Sequence, residues 1–369
     1  MLTCDYSLSD LTPTSWDLSD EQRALLDASE RFAREQLEPL LSLPPSRQRW
    51  NEIVEQARSL DLGTLILPTD LGGMGIDHHD LSEILSALSC GPIEHVLRLT
   101  QSTPALMTLR VHDALHTVET GRIEEFFDGT RAIALTVPDF STAMLWRLYD
   151  HSVPTAATWM LAPIASGLAL VEANARCSST QTQIARLGGL TLDQFRCDGG
   201  SYGIPLATFG CPDALGVSPT QTWLTNTALY LSALLSGVMQ HGVAFALGYG
   251  MERQTFRKPL LMHQRAATRL ADMLIAAQGT QLFVRTLAGA ATRAPTTLVR
   301  QLARHIAAES MKFTHELVQL CGAHGYVEGL APAARMATCH WFSMLLLQVD
   351  AALEQFGSSA PSDTAGVRA

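Results

Sequence analysis

The sequence predicts an α+β protein in three parts: an N-terminal helical domain, a small middle antiparallel β-domain and a C-terminal four-helix bundle. Three observations carry this expectation. Apolar residues recur at helical spacing behind the capping-box tetrad Ser19-Asp-Glu-Gln22. From Ala132 the texture changes to short β-rich runs separated by Ser, Thr, Gly and Pro. From Thr222 onward the pattern is helical again, in four long segments with short links. The expected boundaries are 1–128, 129–215 and 216–358, with a frayed tail over 359–369.

Composition narrows the function classes. At 369 residues the chain has room for two or three domains, and 47% hydrophobic residues with 17% charged residues suits a folded enzyme rather than a disordered segment. The 36 acids outnumber the 26 Lys and Arg, for a formal net charge of -10, which argues against nucleic acid as the main partner. No basic tract suits an anionic membrane surface, no run approaches the ~18 apolar residues that span a bilayer, and Met1 to Asp20 carries no Lys or Arg, unlike a signal peptide. Seven cysteines without a C-x-x-C pair suggest neither a disulfide framework nor a metal site, so a reducing cytoplasm is the economical expectation.

In chain order, Leu25, Ser29, Phe32, Gln36 and Leu37 trace the first helix, which Pro39 and then Pro44-Pro45 are expected to break. Arg47 to Leu60 reads as a second helix with Ile53, Val54, Ala57 and Leu60 on one face. Gly72-Gly73-x-Gly75 after Pro68 demands a turn with positive φ, ahead of a helix from about Asp80 to Ser89. It lacks the Lys-Ser/Thr of a phosphate-binding P-loop. Expected strands are Ala132–Val137, Trp159–Ala162, Leu168–Glu172 and Gln183–Arg186; no long helix separates them, which disfavours a parallel Rossmann sheet. The bundle helices read as Trp223–Glu252, Gln264–Ala288, Leu298–Cys321 and Arg335–Phe356.

Between the first two bundle helices lies a basic, Pro-broken turn. Arg253, Gln254, Thr255, Arg257, Lys258, His263 and Gln264 gather cations and donors at one spot in an acidic chain, which focuses positive potential there; a solvated helix–helix turn would carry the same composition. Gly237-Val-Met239, Tyr249, Arg253-Gln-Thr-Phe256, His263-Gln264 and Leu270-Ala-Asp-Met273 follow in an order and spacing that resembles the C-terminal domain of the acyl-CoA dehydrogenase family. Arg257 stands where that family normally has Gly. The Pro68 to Gly75 segment is similar to a structural turn of the family's N-terminal helical domain.

The resemblance implies an FAD site that spans a subunit interface. It assigns Arg253 to the pyrophosphate, where a guanidinium can fork onto phosphate oxygens, with Thr255, Phe256, His263 and Gln264 beside it. The segment Gln319 to Tyr326 resembles the family's second flavin element, with Gln319 and Gly322 in place and Ala323 standing for its second Gly; Ala323 and His324 depart from the pattern, and a helix C-cap is the plain reading of the glycines. Thr136 and Thr142, in Thr136-Val-Pro-Asp-Phe-Ser-Thr-Ala143, match a segment that meets the flavin and acyl-CoA; its acid, glycines and terminal Asp are missing here.

The family's chemistry is α,β-dehydrogenation of an acyl thioester, which needs an ionised carboxylate next to the α-carbon. Its usual position, in a loop after the glycine turn, falls on Leu346, and the alternative helix position, Thr225 to Tyr230, holds no acid. Asp350 and Glu354 follow one and two turns later. The resemblance therefore implies a subunit of a heteromeric FAD-dependent acyl-CoA dehydrogenase. It would work with a homologous partner in an α2β2 heterotetramer on an acyl-CoA of steroid or fatty-acid degradation, passing electrons to an electron-transfer flavoprotein or similar acceptor. Two alternatives stay open: a self-sufficient homomeric dehydrogenase using Asp350, and a catalytically dead scaffold.

Overall fold

The computed structural model describes residues 19–115, 125–127, 129–152, 158–164, 166–172, 182–196, 204–210, 218–290, 294–327 and 329–359. The expected tail, beyond 359, lies outside these residues.

Five helices make the N-terminal region: α1 (Asp20–Phe32), α2 (Arg47–Ser59), α3 (His78–Leu88), α4 (Ile93–Thr100) and α5 (Thr103–Val111). The capping box at Ser19 and Gln22 forms in both directions, with Ser19 N donating to Gln22 Oε1 at 2.7 Å and Gln22 N donating to Ser19 Oγ at 3.2 Å. Pro39 does not stop the first helix. The chain passes through a π turn (Ala33–Leu37) and a 3-10 turn (Glu38–Leu41) whose start accepts a proline, and the break comes after Leu41. Gly72 and Gly75 take φ of 85° and 64°, and a Cβ on Gly73 would stand 2.1 Å from the Leu67 carbonyl oxygen, so the turn needs its glycines. Arg110 holds the turn shut by donating to the carbonyls of Ile66, Ile76 and Gly75 at 2.9, 2.7 and 3.1 Å.

The middle region is a seven-stranded sheet: β1 (Ala132–Asp139), β2 (Met144–Asp150), β3 (Thr158–Ile164), β4 (Gly167–Glu172), β5 (Thr182–Leu187), β6 (Leu190–Arg196) and β7 (Ile204–Phe209), in the order β5-β6-β2-β1-β3-β4-β7. It is antiparallel throughout except for β1 and β3, which run parallel because β2 pairs on one side of β1 and the chain then crosses to the other. Three strands were not expected, β2, β6 and β7, and the first two share a buried ion pair: Arg147 lies opposite Asp193, with Nη2 to Oδ2 at 2.9 Å and both side chains fully enclosed. Arg147 also sits over the Tyr149 ring at 4.3 Å.

The C-terminal bundle comprises α6 (Pro219–Glu252), α7 (Gln264–Gly289), α8 (Thr296–Cys321) and α9 (Ala331–Ser359). Helix α6, 34 residues long, is apolar on nearly every side because it packs against α3, α5, α7, α8 and α9 at once. It is apolar and long enough to cross a membrane, but 67% of its most apolar window is buried inside the protein, as for a core helix. Charged side chains bind the outer helices. Arg285 of α7 pairs with Glu83 of α3 at 3.0 Å, and Arg300 and Arg304 of α8 grip Asp350 and Glu354 of α9. The buried Arg335 guanidinium donates to the Ser89 and Cys90 carbonyls just beyond α3, at 3.3 and 2.7 Å.

Removing one member of the buried sheet pair strands the other. Arg147→Met is expected to lower the unfolding free energy by about 3–5 kcal/mol in urea titrations, and Arg147→Met combined with Asp193→Leu to restore most of it.

Candidate functional site

Helix α6 ends in a two-stranded hairpin, β8 (Gln254–Thr255) and β9 (Lys258–Pro259), closed by the two-residue loop Phe256-Arg257. Both loop residues take positive φ, 50° and 67°, the conformation that two-residue hairpins usually give to Asn-Gly. The departure from the family Gly at 257 thus falls on a left-handed position, which costs a side chain on the order of 1–2 kcal/mol. The hairpin is pinned from behind. Leu260 N donates to Arg253 O at 2.7 Å, His263 Nε2 lies 3.0 Å from Thr255 O, and Lys258 Nζ donates to Met262 O at 3.1 Å.

What this pinning leaves available is polar and basic. Arg253 is exposed and makes no ion pair among the described residues, and the buried Thr255 Oγ1 has no hydrogen-bond partner. Phe256 is 94% exposed and meets His263 only edge-on, at 6.0 Å between rings. Gln264 opens α7. A guanidinium, an orphaned hydroxyl and the ammonium of Lys258 on one rigid turn fit a phosphate-bearing cofactor such as FAD.

The second sequence element folds against the end of the first. Gly322 terminates α8 with φ of 60°, and Gly322–Tyr326 form a 3-10 turn. Tyr249, one helical turn before Arg253, donates to Cys321 O at 3.2 Å and lies 3.0 Å from His324 Nδ1. Gly322 and Ala323 are thereby brought to the Arg253 end of α6, and a Cβ on Gly325 would meet the Val318 carbonyl oxygen at 2.3 Å. Gln319 donates to Tyr326 at 2.6 Å, so its amide already has a partner.

The two β-domain residues behave differently. Thr136 is buried in β1 and donates to Leu161 O at 2.7 Å. Thr142 lies in the β1–β2 turn, where it and Ser141 bond to Asp139; burial pulls the Asp139 carboxyl up, but these donors outweigh it and hold the group below its usual range. Both hydroxyls are satisfied inside the strand and turn that carry them.

The positions expected for a base are filled with structure. Leu346 is fully buried in the middle of α9, which runs unbroken for 29 residues where the resemblance implied a loop. In the alternative position, Tyr230 bonds Thr100 at 2.7 Å, while Asn226 lies 3.0 Å from both His78 and Thr108. Asp350 is buried rather than exposed, and each of its oxygens takes an arginine: Arg300 Nε at 2.9 Å and Arg304 Nε at 2.7 Å. Beside Leu346, between the sheet and α9, lies an apolar groove of about 120 Å³ lined by Trp146, Leu148, Leu192, Trp341 and Leu345. That is well under the ~300–1,000 Å³ of ordinary small-molecule sites. The donors of the hairpin turn, by contrast, fit a phosphate group. Trp146 and Trp341 were missed in the sequence; only their aromatic character would have marked them.

Residues 216–349 match the family model for the acyl-CoA dehydrogenase C-terminal domain. Over that segment the chain carries the family's C-terminal domain. Solved acyl-CoA dehydrogenase structures extend the likeness over the whole chain. The butyryl-CoA dehydrogenase of Megasphaera elsdenii superposes with a TM-score of 0.69 at 15% identity, covering 91% of this chain and 98% of that one. The steroid acyl-CoA dehydrogenase Tcur3481-Tcur3483 gives 0.69 at 17% identity over 92% and 99%. A nitroalkane oxidase crystallised with 1-nitrooctane gives 0.73 at 13% identity over 95% and 98%. Identities this low establish the shared fold and nothing finer. No curated protein sequence matches the chain.

The strained hairpin offers a direct check. Arg257→Gly is expected to raise the unfolding free energy by about 1 kcal/mol in urea titrations, because glycine adopts the left-handed region at no steric cost.

Proposed function

We propose that this chain is the non-catalytic subunit of a heteromeric FAD-dependent acyl-CoA dehydrogenase, whose homologous partner holds the flavin ring and the base. The observation that carries this reading is Leu346, a buried leucine inside an unbroken helix at the position to which the resemblance assigns the base. No proton can be taken there. The second family position is occupied by neutral, hydrogen-bonded side chains, so the α-proton of a thioester finds no acceptor in either place.

The cofactor-facing half of the reading rests on Arg253, Thr255, Phe256, His263 and Gln264, with Gly322 and Ala323 alongside. Arg253 would pair with the pyrophosphate, and Thr255 Oγ1 would gain the partner it lacks. His263 fixes the hairpin through Thr255 O, and so positions both. FAD, when bound, accepts hydride from the β-carbon of the acyl thioester. In this reading the turn completes a cofactor seated mainly in the partner, and the small groove beside α9 supports it. An acyl-CoA from steroid or fatty-acid breakdown is the substrate class this reading gives the complex, in the cytoplasm, with an electron-transfer flavoprotein or similar acceptor as its oxidant.

The homomeric alternative requires Asp350 to act as the base. Its two arginine partners oppose that role, since each carboxylate oxygen is already engaged by a guanidinium. The scaffold alternative retains the fold and leaves Arg253 and Thr255 without a ligand.

Expression of the chain alone and with a homologous partner separates these readings. Flavin absorbance and acyl-CoA turnover are expected only in co-expression, with Arg253→Ala in this chain cutting flavin content at least tenfold. Turnover by the chain alone that disappears in Asp350→Asn would establish the homomeric reading, and colourless protein in both preparations the scaffold.

A further inference from the structure

A second, larger opening lies at the other end of β1 from the Thr142 turn. It has a volume of about 1060 Å³ and is walled by α2, α4, the start of β1, the end of β2 and the β5–β6 turn. We propose that this cleft binds a small anionic metabolite, a carboxylate or phosphate ester that also carries a hydroxyl group.

The cleft is lined with guanidiniums held in fixed places. Arg98 donates from Nε to Asp150 Oδ2 at 2.9 Å and lies 3.8 Å from the centre of the Trp50 ring. Arg131 pairs with Glu125 and covers the Trp159 ring at 4.4 Å. Arg58 pairs with Glu55 at 2.6 Å. Arg47, at the rim, is exposed and has no ion pair among the described residues. Three of these guanidiniums are matched by acids, with Asp61 and Glu94 also in the wall, which leaves Arg47 as the charge at the rim to meet an anion.

Two loops approach these side chains closely at glycines. Gly129, Gly188 and Gly189 take φ of 68°, 54° and 109°. A Cβ on each would stand 2.4 Å from Arg58 Nη2, 2.4 Å from Glu94 Cγ and 2.6 Å from Arg98 Nη1. The bare backbone thus sets where the charged groups of the wall lie.

The wall also contains unmet polar atoms. Glu94 Oε2 and His95 Nδ1 are buried without a partner, and His95 as a whole is only 4% exposed. Burial pushes the Glu94 carboxyl up to about 7; burial first, and the Arg98 charge second, push His95 down to about 4, leaving its ring neutral. An unsatisfied buried acceptor costs about 1–3 kcal/mol, which a ligand hydroxyl would relieve and an apolar ligand would not. An anion at the arginine rim with a hydroxyl reaching Glu94 satisfies both sets of groups.

The test is calorimetric titration of the full chain with glycerol 3-phosphate, D-glycerate and inorganic phosphate, and it does not depend on flavin or turnover. Saturable binding of glycerol 3-phosphate or D-glycerate is expected. Glu94→Gln, which keeps the side-chain shape, and Arg47→Gln, on the exposed rim, should each weaken it at least fivefold, with circular dichroism melts confirming that both variants fold. Gly188→Ala, which displaces Glu94, should weaken it as well. No binding of either hydroxylated anion would overturn the proposal. So would a smaller loss in Glu94→Gln or Arg47→Gln, or inorganic phosphate binding as tightly as glycerol 3-phosphate.

Discussion

Gly237 lies where α6 crosses α3, and a methyl group there would stand 2.3 Å from the Ser86 carbonyl oxygen. That close approach of two backbones lets a 34-residue helix run through the middle of the molecule instead of over its surface. From this crossing α6 reaches the N-terminal helices through Tyr230 and Asn226, the sheet through Thr220, whose hydroxyl donates to Gly167 O at 3.1 Å, and the second bundle turn through Tyr249. The basic hairpin is the direct continuation of the same helix. Its position against Gly322–Tyr326 is therefore inherited from packing some twenty residues upstream.

Much of this was legible because helices and turns write themselves locally. The capping box at Ser19, the Gly72 to Gly75 turn and the four bundle helices follow from residue spacing, and they appear within a few residues of where the pattern puts them. Pro39 was misread because a proline early in a 3-10 turn forfeits no hydrogen bond. Strands β2 and β6 were missed because Arg147 and Asp193 place charges where a buried strand should be apolar, and the pair is neutralised only when the strands meet. The bonds that use the Thr136 and Thr142 hydroxyls, and the arginines around Asp350, are matters of tertiary contact. The cleft around Glu94 draws on five separated stretches and has no motif to find.

The site as a whole is uneven in a physically coherent way. Where it faces outward, at the hairpin, polar atoms are left unmatched: an exposed guanidinium, a buried hydroxyl without a partner, a phenyl ring in solvent. Where the resemblance places a catalytic centre, Tyr230 and Asn226 are hydrogen-bonded and Leu346 is packed into the core, while Trp146 Nε1 in the groove beside α9 is buried without a partner.

Helix α9 bears on how such a chain could change over time. A carboxylate introduced at position 346 would enter a core formed with Phe342, Val349 and Leu353, where burial would keep it protonated and displace its neighbours. Placing an ionised base there would require unwinding the helix, re-satisfying its backbone hydrogen bonds and opening a cavity together, so no single substitution at position 346 supplies one.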